Sequence, residues 1–135
     1  YLAICIGHFR EDMGVVDAPI ARHPTDRKKM AIREGGRRAV THWRVLEELR
    51  GASYIEARLE TGRTHQIRVH MASLGHPVLG DPVYGPKRSP YPVTGGQLLH
   101  AAVIGFDHPA TGERMRFEVP PEPRFLTWLE RLKMR

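Results

Sequence analysis

The hydrophobic period of this chain changes sharply between Tyr54 and Leu74, and that change constrains its architecture more than any other feature. From Tyr54 to Glu60 the residues alternate, with Tyr54, Glu56, Arg58 and Glu60 on one side and Ile55, Ala57 and Leu59 on the other. A period of two marks a half-buried strand, and Gly51-Ala52-Ser53 supplies a turn before it. Beyond Gly62, the residues Ile67, Met71 and Leu74 recur at i, i+4 and i+7, one face of a helix. Thr64 stands where a helix N-cap is needed, Gly75 where a C′ glycine is needed, and Pro77 follows to stop the helix. The expected unit is a strand leading directly into a short helix of about ten residues.

The other segments read mostly as strands. Tyr1 to Ile6 is rich in strand formers, and Gly7 to Pro19 reads as a loop or hairpin. Ile20 to Lys29 is basic and irregular, Met30 to Ile32 a short strand, and Glu34-Gly35-Gly36-Arg37 a turn. Ala39 to Leu49 alternates in part and is expected as a strand, with His42 and Trp43 in packing roles. Leu98 to Phe106 and Arg114 to Val119 read as two strands joined by a turn at His108 to Gly112. Phe125, Trp128, Leu129 and Leu132 mark a closing amphipathic helix after Pro120-Pro121. Short connections between consecutive strands favour antiparallel pairing. The expectation is one α+β domain with a mixed, mainly antiparallel sheet of about six strands and two helices.

The chemistry is concentrated in Thr61-Gly62-Arg63-Thr64-His65-Gln66-Ile67-Arg68, at the junction of strand and helix. Backbone N–H groups at a helix start attract anions, and Arg63, His65, Gln66 and Arg68 add four donors in six residues. Physics alone leaves two readings open: an anion or phosphate site, or a helix start whose polar side faces water. A metal site fits poorly. His65 and His70 are five apart, about 140° around a helix, and so share no face. The metalloprotease pattern needs a spacing of four with a glutamate between. A serine hydrolase also fits poorly, since Ser53, Ser73 and Ser89 lie in no nucleophile elbow.

Charge narrows the partner. Twenty-one Lys and Arg oppose 15 Asp and Glu in 135 residues, a net charge of +6. A basic domain this small points to a polyanion, usually nucleic acid. No run of ~18 apolar residues exists to span a membrane. Cys5 is the single cysteine, so no internal disulfide can form, and a buried, inert thiol in a reducing cytoplasm is expected.

One longer pattern is specific. Arg58-Leu59-Glu60-Thr61-Gly62-Arg63-Thr64-His65-Gln66-Ile67-Arg68-Val69-His70-Met71-Ala72, continuing through Gly75-His76-Pro77 and Gly80-Asp81-Pro82-Val83-Tyr84-Gly85, resembles the signature of the RluA family of RNA pseudouridine synthases. Tyr1-Leu2-Ala3 with Gly7-His8 resembles that family's tyrosine motif. Asp17-Ala18-Pro19-Ile20, Arg22-His23-Pro24, Ala39-Val40-Thr41-His42, Leu99-His100-Ala101 and His108-Pro109 also match, so the resemblance covers nearly the whole chain. It is strongest to the RluD-like branch, which modifies large-subunit ribosomal RNA.

The resemblance implies a reaction: a uridine is flipped out of RNA, its N-glycosidic bond is cleaved, and the base is rejoined through carbon, with no cofactor and no metal. It implies the fold of that family's catalytic domain. The family's catalytic aspartate lies in an H-R-L-D motif upstream of the tyrosine motif. These 135 residues hold no H-R-L-D, and Asp12, Asp17, Asp26, Asp81 and Asp107 lie in other contexts. The chain is therefore expected to be the C-terminal part, residues 1–135, of a catalytic domain, inactive without the segment bearing that aspartate. Asp81 is expected simply as a turn residue bonding its own backbone. By resemblance, Arg68 pairs with the catalytic aspartate and Tyr1 stacks on the target base. Arg63, His65 and Gln66 touch RNA or order their loop, and Arg22, Arg27, Lys28 and Lys29 bind the RNA backbone. The expected partner is large-subunit ribosomal RNA, with the protein acting as a monomer away from membranes. The competing readings are a basic RNA-binding module without catalysis, and a phosphate-binding enzyme built on the Gly62–Arg68 turn.

Overall fold

The computed structural model describes residues 1–134, and at positions 104–106 only the backbone. Its centre is a five-stranded sheet. In chain order the strands are β1 (Leu2–Ile6), β2 (Met13–Asp17), β3 (Ile20–Arg22), β4 (Met30–Ile32), β5 (Val40–Leu49) and β6 (Ala52–Leu59). Helix α1 (Gln66–Ser73) follows, then β7 (Leu99–His100), β8 (Val103–Asp107), β9 (Arg114–Glu118) and helix α2 (Pro123–Leu132). The main sheet has the order β2-β5-β6-β1-β7, and β3-β4 and β8-β9 form separate two-stranded ribbons. All these strand pairs are antiparallel, as short connections favour.

Strand β1 shows why the sheet is covered on both faces. Ala3 and Cys5 pack in one buried cluster with Ile55, Ala57, Trp43 and the α1 residues Ile67 and Met71. The alternate residue Ile4 packs in a second cluster with Leu49, Leu98 and the α2 residues Phe125, Trp128 and Leu132. A side-chain period of two thus feeds two cores from one strand. Each fully buried large apolar side chain contributes about 1.5–3 kcal/mol relative to exposure, so the α2 stripe of Phe125, Trp128 and Leu132 anchors that helix firmly.

Strand β5 serves both cores by a different device. Val45 pairs with Ile55 and Glu47 with Tyr54, so Leu46 is one residue too many against its partner strand. This bulge turns the later residues over: Trp43 belongs to the α1 cluster, whereas Leu49 belongs to the α2 cluster.

Several local expectations are corrected. The segment read as a loop or hairpin from Gly7 to Pro19 contains β2, and the basic segment after it begins with β3. Ala52 and Ser53 belong to β6 and are fully buried, not part of a turn. The strand expected over Leu98 to Phe106 is broken into β7 and β8.

Helix α1 starts at Gln66 with His65 as its N-cap, and Thr64 does not cap it. The Gln66 side chain instead reaches back and accepts the Arg63 N–H at 3.0 Å, doing what a capping-box side chain does. At the other end, Gly75 N–H bonds Ala72 O and His76 N–H bonds Met71 O, with Gly75 at φ 83°. That is a Schellman closure on a left-handed glycine. It takes Leu74 off the helical track and leaves it 40% exposed instead of in the core.

Candidate active site at the start of helix α1

The strand-to-helix junction places its polar residues by burying the apolar ones. Ile67 and Met71 are held in the core, and Arg68, about 100° further round the helix, emerges beside the loop that follows α1. There its Nε donates to Asp81 Oδ2 at 2.8 Å and its Nη2 to Asp81 Oδ1 at 2.9 Å. The side chains are only 10% and 0% exposed. Asp81 Oδ1 also accepts the N–H groups of Val83 and Tyr84, so Asp81 is the expected turn residue and an ion-pair partner as well. Burial alone would raise its carboxyl. The hydrogen bond and charge of Arg68 and the two N–H groups outweigh burial and hold it below the usual carboxylate range.

Tyr84 completes the setting of Arg68. Its ring lies under the guanidinium at 5.1 Å, a cation–π distance. Its hydroxyl accepts the Met30 N–H at 2.8 Å and lies 2.8 Å from His65 Nδ1. His65 is the one non-glycine residue among those described with a positive φ, 56°. Burial and the Arg68 charge lower its pKa, so it is neutral near pH 7. One hydroxyl thereby links β4, α1 and the Asp81 turn.

Arg68 keeps one nitrogen free for an outside group. Among the described residues Nη1 makes no hydrogen bond, and no buried side-chain polar atom lacks a partner. Nη1 therefore reaches solvent. Arg68, expected to pair with the catalytic aspartate, is thus fixed to a second carboxylate within the chain.

Of the two roles expected for Gln66, the geometry favours ordering of its loop. Gln66 is 2% exposed, accepts from Thr61 Oγ1 and Arg63 N–H, and donates to Val40 O and Thr41 Oγ1. With every amide atom engaged, it orders its loop and is not available to RNA. Thr41 passes the chain of bonds on to His70 Nδ1 at 2.7 Å, and His70 Nε2 bonds Ala18 O at 3.0 Å. Burial lowers the His70 pKa, and the ring is a neutral structural group.

Tyr1 is 42% exposed and exchanges backbone hydrogen bonds with Ala57. By strand alternation it falls on the face of Ala3 and Cys5, the α1 face. Leu59, two residues along β6 from Ala57, is paired with Thr41, which holds Gln66. Tyr1 and the start of α1 therefore occupy the same face and the same end of the sheet.

The expected backbone-binding residues separate into two groups. Lys28 and Lys29 line a cleft of about 550 Å³ with Asp26, Asp81 and Lys87. Arg22 and Arg63 line a different groove, and Arg63 Nε also donates to Arg38 O at 2.9 Å. Arg27 is exposed and lines neither. No cluster of three or more metal-ligating side chains occurs among the described residues. Sequence reasoning gave Tyr84 no role and Asp81 only its turn. Tyr84 sits in a Pro- and Gly-rich loop without periodicity, where only the polar aromatic between Asp81 and Gly85 could have drawn notice.

Comparison with known proteins identifies the family. The RNA pseudouridylate synthase family model matches residues 1–73. An uncharacterized RNA pseudouridine synthase of Bacillus subtilis, YlyB, is 47% identical over 98% of this chain and 43% of its own length. The ribosomal large subunit pseudouridine synthase D of Pseudomonas aeruginosa is 47% identical over 96% of this chain and 43% of its length. The solved structure of human RNA pseudouridylate synthase domain containing 1 superposes with a TM-score of 0.78 at 32% identity, covering 88% of this chain and 52% of that one. The chain thus spans less than half the length of these curated relatives. The mainly antiparallel α+β sheet is the fold expected from the sequence. The chain belongs to the RNA pseudouridylate synthase family.

Proposed function

We propose that this chain forms the C-terminal part of the catalytic domain of an RNA pseudouridine synthase that isomerises uridine in large-subunit ribosomal RNA. The observation that carries the reading is Arg68: buried, held on two nitrogens by Asp81, and offering Nη1 outward. A nucleophilic carboxylate in a dry pocket needs a fixed cation to stay ionised and oriented, and Arg68 supplies one. In this reading the carboxylate comes from an H-R-L-D segment, which these 135 residues do not contain. It attacks C1′ of the uridine and displaces N1 of the base; the base rotates, its C5 bonds C1′ and displaces the carboxylate, and C5 gives up its proton while N1 takes one up. No redox step and no cofactor is needed. Tyr1 offers an exposed ring at the Arg68 end of the sheet for stacking on the flipped base. The names of the relatives support RNA, and specifically large-subunit ribosomal RNA, as substrate.

The protein acts in the cytoplasm as a monomer in this reading. Its one cysteine, Cys5, is fully buried, and burial pushes the thiol well above its usual range. Among the described residues no helix is long and apolar enough to cross a membrane. The test is tritium release from uridine-labelled ribosomal RNA by the full-length protein carrying this chain. Arg68→Ala should abolish release and leave most RNA binding. Near-normal turnover by that variant would overturn the assignment.

A further inference from the structure

The groove beside Gly62 was not evident from the spacing of its residues. Arg22 ends β3, Arg37 lies in the strap that pairs with Ile20, and Arg63 precedes α1. The fold brings the three together around a cavity of about 580 Å³, lined also by Ala21 and Met30. That volume lies within the ~300–1,000 Å³ span of ligand-binding clefts. Among the described residues that line it, none is acidic. Three arginines around a lining that includes Ala21 and Met30 fit phosphates joined to sugars and bases, because arginine both grips phosphate in two-pronged fashion and stacks on flat rings.

Gly62 gives an independent indication. Gly35 needs glycine for its φ of 83°, and a Cβ on Gly36 would meet the Ile20 backbone at 2.8 Å. Gly62 has neither constraint: its φ is not in the left-handed region, and an added Cβ would meet nothing within 4 Å. The folded chain does not require glycine there. A bare backbone does serve a ligand that must approach closely.

The groove is also placed to continue the candidate site. Met30 lines it, the neighbouring Lys29 lines the cleft walled by Asp81, and the Met30 N–H is bonded to Tyr84 beneath Arg68.

We propose that the Arg22–Arg37–Arg63 groove binds the phosphodiester backbone of the single-stranded RNA flanking the target uridine, with Gly62 as its point of closest approach. The inference rests on the reading of the protein as an RNA-modifying enzyme. It adds a second binding track, separate from the lysine cleft, along which the substrate leaves the site.

The test uses the full-length protein and a fluorescently labelled single-stranded RNA oligonucleotide, with anisotropy titrations over a range of salt and tritium-release kinetics in parallel. For single strands the log–log salt slope changes by about 0.7 per phosphate contact. The double variant Arg22→Glu, Arg37→Glu should therefore lose about 1.4 of slope, with the kinetic loss falling on KM rather than kcat. Gly62→Ala should unfold at the same temperature as the parent and yet bind RNA more weakly. Arg114→Glu, a charge reversal on the distant β8-β9 ribbon, should change neither slope nor KM. Unchanged slope and affinity in both groove variants would overturn the groove while leaving the synthase reading intact. A parent protein that binds RNA through the groove but releases no tritium would do the reverse.

Discussion

Arg68 and Asp81 meet through two parallel N–H···O bonds of 2.8 and 2.9 Å in a site where the carboxylate side chain is fully buried. Removing one partner of such a pair strands the other, at a cost of roughly 3–5 kcal/mol. Asp81→Ala should therefore destabilise the protein by about that amount in urea unfolding. It should also impair activity, because Arg68 loses the clamp that fixes its plane. A change below about 1 kcal/mol, the range of exposed pairs, would show that the pair is not buried in solution.

The same carboxylate sets an acid limit. Its folded pKa is lowered, so the folded state binds fewer protons than the unfolded chain, and stability rises with pH through this window. The contribution is fully present above the unfolded value of about 3.9 and is lost as pH falls through the depressed folded value. Asp81→Asn should flatten the acid limb of a stability–pH curve. An unchanged limb would assign acid sensitivity elsewhere.

A second loss begins at higher pH. His70 is buried between Thr41 and Ala18 with a lowered pKa, and His65 is shifted the same way. Both resist protonation in the fold, whereas the unfolded chain takes up protons below about 6.5. Stability should therefore fall as pH drops from about 6.5. His70→Gln should reduce that slope between pH 7.5 and 5 without abolishing it, since His65 remains. An identical slope would mean that His70 is protonated in the folded state.

Tyr84→Phe keeps the ring under Arg68 and removes the hydroxyl that serves Met30 and His65. The part-buried Met30 N–H then loses its partner, which costs about 1–3 kcal/mol. If thermal unfolding shows this loss and RNA affinity falls with it, the hydroxyl holds the β3-β4 ribbon in place for binding. A silent substitution would exclude that role.

The sequence was most legible where geometry is local. The alternation from Tyr54 to Glu60, the Ile67–Met71 face and the Gly75 closure can each be read from spacing, because each is decided by neighbours within a turn or a strand. The Leu46 bulge cannot, since it depends on how β5 meets β6. The Arg68–Asp81 pair was hidden for a related reason. Asp81 has a sufficient local explanation in its turn, and only the fold shows that the turn lies against α1. For Gln66, spacing left contact with RNA and ordering of the loop both open, and the four bonds that decide between them include two to β5, which is distant in sequence. Arg22 and Lys29, neighbours in one basic run, separate because β3 and β4 turn them toward different hollows.

The extra residue at Leu46 makes β5 a strand with a change of phase. Up to Val45 its odd-numbered side chains answer to α1, and from Glu47 onward its odd-numbered side chains answer to α2. Deleting Leu46 would therefore cause no slip: Glu47 would still face Tyr54 and Leu49 would still face Ala52 in the α2 cluster. Leu46 is itself 40% exposed and belongs to neither cluster, so β5 carries a spare residue whose loss exchanges no side chain between its two helices.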